Sequence, residues 1–309
     1  LTWQQLRDFH ARHYHPSNAV FFTYGDFPVA EHQARIEKFA LQAFEAKPVP
    51  PPIPDEPRRQ GPEYAEVPYA VTEEEGTAAR THIVLGWLLP RFDEPVQMLR
   101  ARLLEAVLLQ DSAAPLRQAL ETTELARAPS ELCGLDDSMR EPVFVCGVEG
   151  SEAGHTRAVE ALVLEVLERV AREGVPADRV EAALHQLELS QREISDRTPY
   201  GLQLMNRMLP AVIHDADPLR ELDIDSTLAE LRELAAAPDF VQRAVRELLL
   251  ENTHRVVFTM VPDLEAAERE RRREAETLAE RTAALTDADR SNVVELATAL
   301  SRRQQAEDD

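Results

Sequence analysis

Residues 1–28 read LTWQQLRDFHARHYHPSNAVFFTYGDFP, and their order of signals is that of a domain's last unit. Thr2 is an N-cap candidate with Gln5 three residues on as its capping-box partner. Leu6, Phe9 and His13 recur at helical spacing. Pro16 stops that helix, since it lacks a backbone N–H and drives His15 out of the α region. Ala19–Tyr24 is apolar and aromatic and predicts a strand that breaks at Gly25-Asp26. A second helix is expected over Val29–Ala46. The chain opens at a helix start without Met, as a piece cut from a longer protein would.

The same residues resemble the closing helix, turn and strand of the first domain of an insulinase-type (pitrilysin-like) zinc metallopeptidase. Three further segments point to the presequence-protease branch: RVEAALHQLELSQREI from Arg179, PYGLQLMNRMLPAVIHDADPL from Pro199, and LTDADRSNVVELATAL from Leu285. They occur along nearly the whole chain in the family's order. The resemblance implies four segments. Residues 1–46 would end a first, catalytic domain, 47–61 would form a linker, 62–262 a second, non-catalytic domain, and 263–309 a helical hairpin in the place of the hinge between the enzyme's halves.

The residues by themselves give a compatible outline. Lys47, Pro48, Val49, Pro50, Pro51, Pro52, Ile53, Pro54 and Pro57 favour extended geometry and mark a domain boundary. Beyond it, Glu63–Thr72 and Thr81–Leu89 predict strands, and Glu94–Gln110 an amphipathic helix. A short helix follows from Pro115, then an antiparallel hairpin over Glu131–Ser138 and Pro142–Glu149. Helices are expected over Glu152–Glu173 with Gly174 as its stop, Pro176–Ile194, Tyr200–His214, from a cap at Ser226, and over Phe240–Leu250. Pro199-Tyr-Gly demands a kink after the polar Asp196–Thr198. Arg255–Met260 predicts a closing strand. The fold class is therefore α+β, an antiparallel sheet with helices packed on one face. Past Pro262 two charged helices are expected, the second capped by Thr286 with Asp289, and Gln304–Asp309 should fray.

Bulk properties exclude whole classes of function. The 309 residues are 44% hydrophobic and 29% charged, with a formal charge of −22. That balance argues against nucleic-acid binding, which needs a basic footprint. It suits a solvated surface and attracts cationic peptides. No run nears eighteen apolar residues, so no membrane segment is expected. Cys133 and Cys146 lack any C-x-x-C spacing and should stay reduced, as in a cytoplasmic compartment.

Candidates for chemistry are few. The resembled enzymes bind zinc through H-x-x-E-H plus a distal Glu, and neither H-x-x-E-H nor H-E-x-x-H occurs here. By the resemblance, the zinc site precedes Leu1 and the substrate-holding arginine and tyrosine follow Asp309. No residue of this chain is assigned a catalytic, cofactor-binding or metal role. His10, His13 and His15 cluster in sequence, but packing and capping explain them better than three converging ligands. His185 reads as a helix residue beside the core. Glu149–Thr156 imitates a phosphate loop, yet Glu149 stands where the first Gly belongs and His155 where the Lys belongs. Asp136-Asp137 and Glu73–Glu75 read as solvated turn residues with a possible part in steering basic peptides.

The resemblance implies a zinc-dependent oligopeptidase that degrades unstructured peptides inside a closed chamber. This chain would form chamber wall and hinge, bind no zinc and be inactive alone. Its partners would be peptide substrates, through the whole enzyme, and the missing domains. Two rivals are a structural or assembly subunit whose longer chain has lost its zinc site, and an acidic helical adaptor that docks through the hairpin past Pro262.

Overall fold

The computed structural model describes residues 1–92, 94–194, 198–214 and 216–306. Asp196 and Arg197 of the expected kink, and the last three residues of the expected frayed end, lie outside them. The sheet is built from β1 (Glu63–Ala70), β2 (Thr81–Leu88), β3 (Ala128–Pro129), β4 (Gly134–Asp136), β5 (Val143–Ser151) and β6 (Arg255–Asp263). Its order is β1-β6-β2-β5-β3, with β4 also on β5. The last strand thus slots between the first two. Every pairing is antiparallel except β1 with β6, which runs parallel at the edge. Pro262 lies inside β6 rather than beyond it. It can do so because β2 pairs only as far as Met260, leaving β1 its sole neighbour there.

Alternation along the strands fixes which face is covered. Ile83, Leu85 and Trp87 of β2, Phe144, Cys146 and Val148 of β5 and Val257 of β6 are all fully or almost fully buried. Over them pack α3 (Pro95–Leu109), α4 (Pro115–Thr122) and α5 (Thr156–Glu173), with α9 (Phe240–Val245) behind α5. Leu103, Leu104, Val107 and Leu108 of α3 and Val159, Val163 and Leu167 of α5 fill the layer. Each such side chain stabilises the fold by about 1.5–3 kcal/mol on leaving water. Gly174 ends α5 at φ 76°, a conformation glycine adopts without Cβ strain.

Around this core stand α6 (Ala177–Arg192), α7 (Tyr200–Ile213) and α8 (Ile224–Ala235). The cap of α8 is Asp223, not Ser226. Its carboxylate accepts the Ser226 backbone N–H at 3.3 Å, so Ser226 sits inside the first turn. After β6, α10 (Ala266–Ala283) and α11 (Asp287–Gln305) bury no residue, and Thr286 and Asp289 close the expected capping box.

The opening unit departs from expectation in one respect. Thr2 and Gln5 cap α1 (Trp3–His13) reciprocally as predicted. α2 covers Val29–Ile36 and ends in a π turn over Glu37–Leu41, short of Ala46. Ala19–Tyr24, however, forms no strand, because no described strand lies beside it to complete a ladder. Val20, Phe21, Phe22 and Tyr24 remain exposed.

Candidate functional site

The histidines picked from the sequence do not converge. His10 stacks on Tyr14 with ring centroids 4.8 Å apart, and His13 on Phe9 at 4.3 Å. His15 Nδ1 accepts the Ser17 backbone N–H at 3.1 Å and its ring meets the edge of Phe44. His185 is exposed on α6 rather than set against the core. His155 Nδ1 lies 3.0 Å from Leu125 O, in the strand-to-helix turn after β5, whose Gly150 adopts φ 71°. Among the described residues, no three His, Cys, Asp or Glu side chains are grouped so as to hold a metal ion. The groups present therefore do not fit a zinc centre.

The acidic candidates split. Glu73 and Glu74 are exposed turn residues, and Glu75 caps Thr72 at 2.8 Å. Asp136 closes a turn onto Ser138, while Asp137 pairs with Arg102 Nε at 2.6 Å. The cysteines are free. Burial pushes both thiols up, Cys146 well up, so neither is a ready nucleophile.

Three features that sequence spacing did not reveal shape the surface. First, among the described residues the second face of the sheet has no helix across it like α5 on the first. It carries Val84, Gly86 and Leu88 of β2, Val143 and Val145 of β5, and Val256, Phe258 and Met260 of β6, most of them half-buried. At its middle, a Cβ on Gly86 would meet only Val143 Cγ1, at 3.8 Å. His82 and Glu149, 4.0 Å apart, stand at one end of this apolar floor.

Second, a buried carboxylate holds the edge strand. Glu160 of α5 accepts Tyr64 OH at 3.0 and 3.1 Å, Arg255 Nη2 at 3.0 Å and Arg157 Nη1 at 3.1 Å. The Arg157 guanidinium also lies over the Tyr64 ring, 3.7 Å from its centroid. These four residues link β1, β6 and α5, and their sequence separations gave no signal of it.

Third, a cleft of about 260 Å³ opens between α3, α7, α8 and the β4–β5 turn, lined by Arg102, Asp137, Asn206, Arg207 and Glu221 among others. Burial holds the Glu221 carboxyl above the usual range against three nearby arginines. The Glu105 carboxyl of α3 is also raised, by burial first and by Asp137 second. Among the described residues lining this cleft there is no Ser, Cys or Lys nucleophile beside a base.

The Pro-rich stretch is tied down at the far end of the sheet. Arg140 Nη1 donates to Ile53 O at 2.7 Å, and its Nε pairs with Asp55 at 3.0 Å. Glu141 accepts the Glu56 backbone N–H at 2.7 Å and is paired with Arg58. Thr253 Oγ1 donates to Arg59 O at 2.6 Å. The segment is extended, as its prolines require, but it lies along the domain as a strap.

Comparison with known proteins follows the same outline. The family model described as the peptidase M16 inactive domain matches residues 1–187. The mitochondrial presequence protease of Xenopus tropicalis is 31% identical over 306 residues, covering 98% of this chain and 30% of that protein. The Mus musculus protein of the same name is 32% identical over 297 residues, covering 95% and 28%. Presequence protease 1, chloroplastic/mitochondrial, of Arabidopsis thaliana is 31% identical over 322 residues, covering 100% and 29%. The chain thus spans about 30% of the length of these relatives. Among solved structures, the peptidase M16 inactive domain from Pseudomonas fluorescens matches with a TM-score of 0.64 at 15% identity, over 85% of this chain and 58% of that one. A protease from Helicobacter pylori matches at 0.62 and 18%, over 85% and 59%.

Proposed function

This chain belongs to the peptidase M16 family, and we propose that it is a non-catalytic portion of a zinc-dependent oligopeptidase that encloses and degrades unstructured peptides. Residues 62–262 would be the second domain and part of the chamber wall. Residues 1–46 would finish the catalytic domain, with 47–61 as the linker. Residues 263–309 would begin the hinge to the enzyme's other half. Zinc, held by residues outside this chain, would supply the activated water. The chain's own residues would shape and enclose the space, and the chain alone would cleave nothing.

One observation carries this reading: the opening unit leaves large apolar side chains without cover. Trp3, Leu6, Phe9, Phe21, Phe22 and Phe27 of the opening unit are each exposed. Exposed patches on this scale mark surfaces that other polypeptide covers. The relatives' names support a peptidase of peptides, and the matched model's description supports a domain without the chemistry.

No helix among the described residues is long and apolar enough to cross a membrane. Two free cysteines fit a reducing compartment, cytoplasmic on our reading of the composition. The relatives' names place those proteins in mitochondria or chloroplasts. Metal analysis tests the assignment: purified chain should carry no stoichiometric zinc, and chelator-sensitive zinc at one per chain would overturn it.

A further inference from the structure

The residue that leads into β6 is a histidine covered more deeply than its place in the sheet accounts for. The Leu88 N–H donates to His254 O at 3.1 Å, which carries the β2–β6 register one step past Trp87 and Arg255. Residues directly opposite in an antiparallel pair share a face, so His254 stands on the second sheet face beside Leu88, Val143 and Val256. Those three are half-buried, whereas His254 is only 6% exposed. The ties of the proline-rich strap surround it. Thr253, its chain neighbour, holds Arg59 O. Arg58 Nη2 donates at 3.1 Å to the carbonyl of Leu89, which follows the cross-strand partner. Glu141, just before β5, holds the Glu56 N–H. The strap is therefore what closes over the ring.

Only the neutral ring suits that cover. Among the described residues, the buried Nδ1 of His254 has no hydrogen-bond partner. A neutral imidazole can leave one nitrogen as a bare acceptor, but an imidazolium carries N–H on both and would bury a donor with nothing to accept it. The charged groups facing the ring act in the same direction. Arg58 and Arg59 of the strap repel a positive ring, Glu56 of the strap and Glu141 attract it, and the arginines weigh more. Glu141 is already paired with Arg58, and Arg59 with Glu63. Burial first, and the two arginines second, hold the His254 pKa below its ordinary value. A base held low in the closed form favours closing fully above its ordinary pKa. That preference is lost as pH falls from there through the closed-form value.

We propose that His254 is a proton-operated latch for the strap. As a neutral ring it accepts Glu56–Arg59 across the end of the sheet; once protonated it expels them. What is let go is the tether between residues 1–46 and the sheet, so acid loosens that link while the sheet and its helices stay formed. Each pKa unit between the open and closed forms changes the opening equilibrium by up to about ten-fold. None of these contacts involves zinc or a peptide, so the latch is independent of the peptidase reading.

The test follows deuterium exchange in the longer protein by mass spectrometry. Slow exchange at the imidazole C2 carbon gives the pH midpoint of His254 itself. Exchange of the Glu56 N–H, corrected for the intrinsic rate at each pH, reports the strap. Exchange of the Leu89 N–H, bonded to Pro142 O at 2.8 Å, reports the sheet beside it. The expected result is a His254 midpoint below about 6.5. Glu56 protection should fall at least about five-fold between about pH 7 and about pH 5 while Leu89 stays protected. His254→Phe keeps an aromatic ring that takes no proton and should hold Glu56 protection constant over that range. A midpoint at or above the ordinary value overturns the proposal. So does Glu56 protection that is constant with pH, or that is lost together with that of Leu89. Loss of Glu56 protection in His254→Phe, matching the unsubstituted protein, would mean that acid acts elsewhere and refutes the latch. The midpoint and the two amides are read in the unsubstituted protein, so they decide the matter even where the variant does not fold.

Discussion

Replacing Glu160 with Gln removes the charge from the one carboxylate that ties β1, β6 and α5 together, and leaves the packing volume unchanged. Arg255 is then a guanidinium with 14% of its side chain in water and no counter-ion. Breaking a buried pair in this way costs about 3–5 kcal/mol. The amide oxygen can still accept neutral hydrogen bonds, each returning about 1 kcal/mol. Arg157 is two-thirds exposed, and water screens its share. The net expectation is a loss of about 3 kcal/mol for Glu160→Gln. Tyr64→Phe removes one hydrogen bond from a half-exposed ring and should cost about 1 kcal/mol. Urea unfolding followed by circular dichroism reads both, as shifts in midpoint at constant slope. A Glu160→Gln variant within 1 kcal/mol of the unsubstituted protein would refute the view that this buried pair holds the edge strand. Equal costs for the two variants would refute it as well.

Other expectations follow from single positions. Gly201→Ala should free the opening unit by displacing Tyr24, because a Cβ there would lie 2.6 Å from Tyr24 Cγ. The loss is seen as faster proteolysis within residues 14–28, although alanine favours the helix itself by about 1 kcal/mol. Gly86→Val should be tolerated within about 1 kcal/mol, because only Val143 lies near its Cβ. Gly147→Ala should cost about 3 kcal/mol, since its Cβ would lie 2.6 Å from Val84 Cα. Burial raises the Glu105 carboxyl above its unfolded value. A raised acid is held more comfortably protonated, so its contribution to stability is full below the unfolded pKa and falls as pH rises through the folded one. Glu105→Gln should therefore stabilise the protein at pH 7–8 and lose that advantage near pH 4, as thermal melts across that range would read.

The long strands and most helices were legible because their signals are local. Thr81–Leu89 and Arg255–Met260 are β-branched and apolar, Gly174 stops α5, and Thr286 with Asp289 starts α11. What failed was what depends on a neighbour. Ala19–Tyr24 has strand composition, yet a strand exists only as part of a ladder. β3 is two residues, one of them Pro129, too short to carry a period. The start of α8 offered two capping residues, and the choice of Asp223 over Ser226 rests on a hydrogen bond. The placement of β6 between β1 and β2, parallel to β1 alone, left no trace in spacing. The proline-rich stretch announced its extended backbone but not the ties from Arg140, Glu141 and Thr253 that make it a strap. Among possible site residues, the histidines of α1 were visible and proved to be stacked rings. The Tyr64–Glu160–Arg255 cluster and the Tyr24–Gly201 contact join residues too far apart in sequence to be found there.

The most direct measurement is hydrolysis of an unstructured, cationic peptide by the longer protein and by residues 1–309 alone, each with and without a zinc chelator. A wall without chemistry predicts chelator-sensitive cleavage by the longer protein and none by residues 1–309. Cleavage by residues 1–309 alone, or none by zinc-supplied longer protein, would contradict it.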